Sequence, residues 1–136
     1  MPYEYFCEIL SVVDGDNLKL RLDQGLDDER RISLRMAGYD AAEKSDAPRG
    51  EQARTIVERS IATVASTPGF KKWIIKTEKT RKGDDIKSFD RYVGHLFALF
   101  DGGSKLFLNR ALFEELKAAD LLKRGSKWNL LENQPK

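Results

Sequence analysis

Cysteine and histidine are almost absent from this sequence of 136 residues, which contains one of each, Cys7 and His95. A single cysteine cannot form a disulfide within the chain. One cysteine and one histidine cannot supply the four ligands that a structural zinc site usually needs. One histidine also limits the chain to a single triad that uses histidine. Disulfide scaffolds and zinc-ribbon folds are therefore excluded.

Long apolar runs are also missing, because no segment approaches the roughly 20 residues that a membrane-spanning helix needs. The first eight residues, MPYEYFCE, lack the basic and apolar regions of a secretory signal. We therefore expect a chain without a membrane span. As it stands the sequence indicates a cytoplasmic protein, and a secreted protein whose leader has been trimmed would look the same.

The composition that is present is that of one globular domain, since hydrophobic residues make up 40% and charged residues 34% of the chain. We expect one domain over 1–136, with its core at about 3–122 and a tail at 123–136. Residues 1–47 contain 6 Lys/Arg against 11 Asp/Glu, whereas 48–136 contain 18 against 11. An acidic metal site beside a surface for a polyanion would give this asymmetry, and so would a chance division of solvated charges.

Hydrophobic periodicity predicts a β-rich α+β protein. Alternating or β-branched runs predict strands, and apolar residues at helical spacing predict helices. Five strands with a helix between the third and fourth are typical of an OB-fold barrel, here with two to three helices. The predicted strands are 3–13, 17–22, 30–38, 71–79 and 91–100, and the predicted helices are 49–65 and 107–122.

Three carboxylates are expected at one end of the predicted sheet. Asp16 lies in the first hairpin turn, and Asp40 and Glu43 follow the third strand, so the meander brings them together. Oxygen ligands at this density suit Ca²⁺ or Mg²⁺. Arg35 and Arg91 could neutralise a phosphate bound there. The alternative for the carboxylates is solvated turn residues, and the alternative for the arginines is surface ion pairs, for Arg91 with Asp90.

Several short motifs resemble, in order, those of the staphylococcal (micrococcal) nuclease family. Each is weakly specific alone, but together they run from about residue 5 to 120. They are 13–17 (VDGDN, similar to VDGDT), 34–43 (LRMAGYDAAE, similar to RLxGIDAPE), 50–53 (GEQA, similar to GEEA), 89–94 (FDRYVG, similar to YGRYVG) and 108–112 (LNRAL, similar to LNxxL).

The resemblance implies a monomeric, Ca²⁺-dependent phosphodiesterase on an OB barrel, acting on DNA or RNA, preferably single-stranded, and leaving 3′-phosphate ends. It implies metal ligands at Asp16, at Asp40 and at the Ala41 carbonyl. Glu43 corresponds to the general base toward water, and Arg35 and Arg91 correspond to the phosphate-binding arginines. The implied substrate contacts are Lys87, Phe89 and Tyr92.

The chain departs from the family pattern at Ala42, Phe89 and Asp90, where the family commonly has Pro, Tyr and Gly. A third helix and the tyrosines that stack on a base have no match here. Tyr39 or Trp128 could take the stacking role, and packing of the tail on the barrel is the alternative for Trp128. A catalytically weak or inactive module that binds nucleic acid or a protein remains an alternative function. An unrelated oligosaccharide-binding OB module is another.

Overall fold

The computed structural model of the chain describes residues 3–77 and 91–128, with the side chains of Tyr3 and Arg91 excepted. Two helices and six strands form one β-rich α+β unit. In chain order the elements are β1 (Tyr3–Asp14), β2 (Asn17–Asp23), β3 (Glu29–Met36), α1 (Arg49–Ala65), β4 (Phe70–Thr77), β5 (Arg91–Phe100), β6 (Lys105–Phe107) and α2 (Leu108–Ala118).

The strands form a sheet in the order β3-β2-β1-β4-β5-β6, and β3 also pairs with β5. This last pairing is parallel, with Ser33 opposite Arg91 and Met36 opposite Gly94, whereas the other ladders are antiparallel. Pairing of β3 with β5 closes strands β1 to β5 into a mixed barrel. The predicted OB-fold-like barrel is confirmed, with β6 as an additional strand on the outer side of β5.

The barrel core follows from the alternation of side chains along β2 and β3. Successive side chains of a strand point to opposite faces, so every second residue lies inside. The outward residues of the two strands are polar, which leaves only one face to bury. The inward residues, all buried, are Leu18, Leu20, Leu22, Ile32, Leu34 and Met36.

Both helices pack an apolar face against the barrel. In α1, Ala53 and Val57 are fully buried, and the predicted bounds of this helix are confirmed. The second helix was predicted to reach residue 122 but ends at Ala118, because Asp120 adopts a left-handed backbone with φ 58°. Ala119, which falls within the predicted helix, lies beyond its observed end and is exposed.

Asn109, in the first turn of α2, is a fully buried polar residue that joins three parts of the fold. Its Oδ1 accepts a hydrogen bond from the Leu96 amide at 2.8 Å, and its Nδ2 donates to the carbonyl oxygens of Ala37 at 2.8 Å and Gly94 at 3.1 Å. Ala37 follows β3, and Gly94 and Leu96 belong to β5. The side chain thus fastens α2 to the barrel at the site where β3 and β5 meet.

Two elements differ from the sequence prediction. Strand β3 ends at Met36, not at residue 38, because Gly38 has φ 103° and turns the chain away from the sheet. Strand β6, only three residues long, was not predicted. Within 3–77 and 91–128, neither helix is long and apolar enough to span a bilayer.

Candidate functional site

A cleft of about 380 Å³ lies where the turn from β1 to β2 meets the chain leaving β3. The turn supplies carboxylates at its two ends, because Asp14 closes β1 and Asp16 directly precedes β2. The end of β3 lies beside this turn, since the Met36 amide donates to the Asp16 carbonyl at 2.8 Å. The cleft is lined by Asp14, Asp16, Asn17, Arg35, Asp40, Ala41, Glu43, Lys44, Ser45 and Lys123.

Asp16 is largely enclosed in this cleft, with a side chain only 14% exposed. Its Oδ2 accepts a hydrogen bond from the Ala41 amide at 3.0 Å. Burial raises the pKa of Asp16 above its ordinary value, and the nearby Asp14 acts in the same direction. The Ala41 amide and the Arg35 guanidinium oppose this shift, but burial dominates it. The ionised form of Asp16 is therefore destabilised in the cleft, and additional positive charge nearby would stabilise it.

Arg35 supplies part of that charge, because its Nη2 lies between the two aspartates predicted as metal ligands. It forms an ion pair with Asp40 and lies 3.6 Å from Asp16 Oδ2. Asp16 and Asp40 therefore converge on one point, as the sequence predicted, and a cationic group occupies it. The Arg35 side chain is 41% exposed, so it can also be reached from outside the cleft.

Glu43 lies at the outer rim of the cleft, with a side chain 61% exposed. Its Oε2 is 3.4 Å from Nζ of Lys123, a residue of the segment that follows α2. The loop carrying Glu43 rests on the start of α1, where a Cβ added to Gly50 would lie 2.8 Å from the Lys44 Cα and closer still to the Glu43 carbonyl. Only glycine allows the helix to approach this loop so closely.

Two further oxygen atoms at the cleft were not predicted from the sequence as site atoms. Asp14 Oδ1 and Asn17 Oδ1 are buried and have no hydrogen-bond donor among residues 3–77 and 91–128. An unsatisfied buried acceptor costs free energy unless a donor or a cation reaches it. The sequence signal was available, since Asp14 and Asn17 flank Asp16 in the 13–17 motif, but carboxylate spacing alone does not reveal burial.

The segment after α2 fixes the backbone that carries Asp40 and Ala41. The Lys123 amide donates to the Asp40 carbonyl at 2.8 Å, and the Asp40 amide donates to Ser126 Oγ at 3.1 Å. Ala41 forms an isolated antiparallel bridge with Leu122. Residues 122–126 therefore support the backbone of the site. Leu122 was predicted at the end of the second helix, and the residues from 123 onward were predicted only as a tail.

Neither aromatic candidate for base stacking is available in the cleft. Tyr39 is 2% exposed, and its hydroxyl donates to the Gly15 carbonyl at 2.8 Å, so a stacking role for it is wrong. Burial raises the pKa of Tyr39 well above its ordinary value, which keeps this donor protonated. Trp128 packs beside Phe107 and Phe113 and against Gly38, in agreement with the tail-packing alternative.

The remaining predicted residues are not brought to the cleft by the described part of the structure. Tyr92 points into the barrel opposite Leu34 and lines a separate pocket with Arg30, whose guanidinium lies 5.8 Å from the Tyr92 ring. Arg91 opens β5 opposite Ser33, and its side chain lies outside the described residues. Lys87 and Phe89, and the departure at Asp90, also lie outside them.

The donor chemistry of the cleft fits a hard divalent cation. Asp16 and Asp40 turn toward one point, and the orphaned oxygens of Asp14 and Asn17 line the same cleft. Carboxylate and amide oxygens are the ligands that Ca²⁺ and Mg²⁺ prefer. In the part of the chain that the structure describes, no three His, Cys, Asp or Glu side chains are already arranged around a metal position. Arg35 would have to leave its place between the aspartates.

Comparison with known proteins adds no family assignment, because no family model matches the chain and no curated protein matches it.

Proposed function

We propose that this chain is a Ca²⁺-dependent nuclease that hydrolyses phosphodiester bonds in DNA or RNA. The observation that carries the proposal is the convergence of two aspartates, an arginine and a glutamate on one cleft at the rim of an OB-like barrel. The resemblance of the motifs 13–17 and 34–43 to the staphylococcal nuclease family supports the same activity, with 3′-phosphate products.

Each group has a role that its position supports. Asp16 and Asp40, with the Ala41 carbonyl, would hold the cation, which when bound polarises a phosphoryl oxygen. Glu43, at the rim, would accept a proton from the attacking water. Arg35, once it leaves Asp40, can donate two parallel hydrogen bonds to phosphoryl oxygens as negative charge grows on them. Arg91, the first residue of β5, is proposed to bind phosphoryl oxygens in the same way.

The deciding experiment is digestion of heat-denatured DNA with Ca²⁺ and then with an excess of chelator. We expect cleavage with Ca²⁺ and none with chelator, and we expect the products to carry 3′-phosphates. Ca²⁺ should also raise the melting temperature, because a ligand that binds only the folded state stabilises it by mass action. Equal digestion in both conditions would exclude the proposed cation dependence.

Glu43→Gln separates catalysis from cation binding, since Gln keeps the shape of Glu but cannot take the proton. We expect kcat to fall by about 10²–10⁴-fold, with the Ca²⁺-induced rise in melting temperature nearly retained. Glu51→Gln, the same change at an exposed glutamate of α1 outside the cleft, is the matched control and should keep most of the activity. Full kcat in Glu43→Gln, at saturating Ca²⁺ and substrate, would remove Glu43 from the mechanism.

A second candidate function is an inactive module that binds nucleic acid or a protein partner. The engagement of Arg35 by Asp40 and of Glu43 by Lys123 favours it, because both groups are paired inside the protein. Such a module would bind denatured DNA, or a protein, without cleaving DNA at any Ca²⁺ concentration. The digestion experiment therefore distinguishes the two candidates directly.

A further inference from the structure

Outward-facing side chains of β2 and β3 form three cross-strand pairs, which follow one another along the sheet from the cleft outward. The first row, Asn17 opposite Arg35, lines the cleft itself, and the next two rows follow along the same strands. Side chains two residues apart on a strand point to the same face, about 6.6 Å apart. The second row is Lys19 opposite Ser33, and the third is Arg21 opposite Arg31.

Two cations on this face are not neutralised by carboxylates. Arg21 is paired with Glu8 and lies 3.8 Å from Glu29, so its charge is balanced. Lys19 and Arg31 are exposed. Lys19 Nζ contacts only the Ser33 hydroxyl, at 3.4 Å. Within the described residues, no carboxylate lies in ion-pair distance of Lys19 or Arg31.

Lys19 and Arg31 lie in line with Arg35, whose charge Asp40 and Asp16 balance in the cleft until it leaves them for a phosphate. Together the three side chains form a line of cations that starts in the cleft and runs away from it along β2 and β3. The spacing between rows is close to the distance between successive phosphates of an extended single strand. We propose that Lys19 and Arg31 form a track that binds, in a single-stranded nucleic acid, the next two phosphates on one side of the phosphate at Arg35.

This inference rests on the proposed function for its starting point at Arg35, but it is tested by binding, which needs no turnover. Fluorescence anisotropy is measured with Ca²⁺ in the Glu43→Gln background, using a thymidine dinucleotide and an oligothymidylate of about eight nucleotides, a length within the usual site size of an OB fold. The track variant is Lys19→Gln with Arg31→Gln. The charge-matched control is Lys71→Gln with Arg59→Gln, two exposed cations elsewhere on the molecule.

Each phosphate contact to a single strand contributes about −0.7 to the slope of log K against log salt. We therefore expect the track variant to lower the steepness of that slope by about 1.4 and to raise the Kd of the long oligonucleotide roughly 10–30-fold at about 0.1 M salt. The control variant should bind the long oligonucleotide as the background protein does. The dinucleotide is too short to reach the third row, so the track variant should raise its Kd much less than that of the long oligonucleotide.

Several outcomes would overturn the track. The track is overturned if the Kd and the salt slope of the track variant are unchanged. It is also overturned if the control variant loses as much affinity as the track variant, or if a duplex of the same length binds more tightly than the single strand. The single variants Lys19→Gln and Arg31→Gln provide the test if the double variant fails to fold. If the parent protein cleaves denatured DNA but the track variant binds normally, only the track falls. If the parent neither binds nor cleaves, the proposed function falls with it.

Discussion

At the scale of single residues, the cleft places a buried acid where its charge is poorly compensated. Asp16 lies beside Asp14, and its pKa is raised, chiefly by burial. An acid whose pKa is higher in the folded state destabilises the protein when it is ionised. Its favourable contribution exists at low pH and is lost as pH rises through the folded pKa. At neutral pH and without a bound cation, the ionised Asp16 therefore lowers the free energy of unfolding.

Asp16→Asn tests this conflict between stability and binding. Asn keeps an oxygen for the Ala41 amide but carries no charge, so we expect a higher melting temperature in chelator at pH 7. A gain of about 1 kcal/mol would appear as a rise of roughly 3–5 °C in a domain of this size. The Ca²⁺-induced rise should be lost. Asp23→Asn, an exposed acid at the far end of β2, is the control and should change neither quantity.

Arg35→Lys addresses the arginine that lies between the aspartates. Lys keeps the positive charge but loses the planar fork that donates to two phosphoryl oxygens. If Arg35 acts in the transition state, kcat should fall by about 10²–10³-fold, with KM nearly unchanged. Steady-state kinetics on denatured DNA provide the measurement. A change confined to KM would mean that Arg35 only docks the substrate.

At the scale of elements, the beginning of α1 sets the position of the loop that carries Glu43. Gly50 is in the first turn of this helix, and there is no room for a Cβ against the Glu43 carbonyl and Lys44. The loop that carries Glu43 therefore packs directly against the backbone of the first turn of α1. Position 50 needs glycine because of this contact, since its backbone is helical and does not itself require one.

Gly50→Ala should push the Glu43 loop outward. Overpacking of this kind costs about 1–3 kcal/mol, and we expect a lower melting temperature together with a reduced kcat. Gln52→Ala, an exposed position in the same turn of α1, should retain both. The two variants are compared by thermal unfolding and by digestion of denatured DNA. Wild-type values for Gly50→Ala would show that the loop does not depend on the helix.

The elements also show where sequence patterns are informative. Strands β1 to β3 and helix α1 have a strong period, and their prediction was accurate to within two residues at every end. The largest difference is at the carboxyl end of β3, where Gly38 turns the chain away from the sheet. Strand β6 and the segment 121–128 have no period, because one is three residues long and the other is irregular. Their positions depend on long-range hydrogen bonds to Asp40 and on packing of Trp128, which a linear pattern does not contain.

The same limit applies to the site. The convergence of Asp16, Asp40 and Arg35 could be predicted, because strand order alone brings a turn and a strand end together. The pairing of Glu43 with Lys123 could not, since it depends on how the chain returns after α2. The burial of Asp14 Oδ1 could not be predicted either, because it depends on the depth of the whole cleft.

At the scale of the whole molecule, the barrel leaves its one thiol partly buried. Cys7 lies on β1 opposite Leu22 on one side and Trp73 on the other. Burial raises its pKa to about 12. The thiolate is the reactive form of cysteine, so almost none of it is present in the folded protein at pH 8.

Cys7 is therefore expected to report on global unfolding. At pH 8 its alkylation should be at least about a hundredfold slower than that of a free thiol, and it should accelerate in step with the loss of structure measured by circular dichroism in urea. The unfolded chain in concentrated denaturant provides the reference rate. Rapid alkylation under native conditions would mean that β1 separates from β2 or β4 without the rest of the barrel.

The parallel pairing of β3 with β5 has a consequence for how the chain reaches this structure. Its partners are separated in sequence by all of α1 and β4, so this contact has a far higher closure entropy than the hairpins. Contacts of this range form late and slow the folding of β-rich proteins. Until they form, β3 and β5 both present bare hydrogen-bonding edges, to which strands of other nascent chains can add. Formation of the β3–β5 ladder therefore also removes the unpaired strand edges through which folding chains can aggregate.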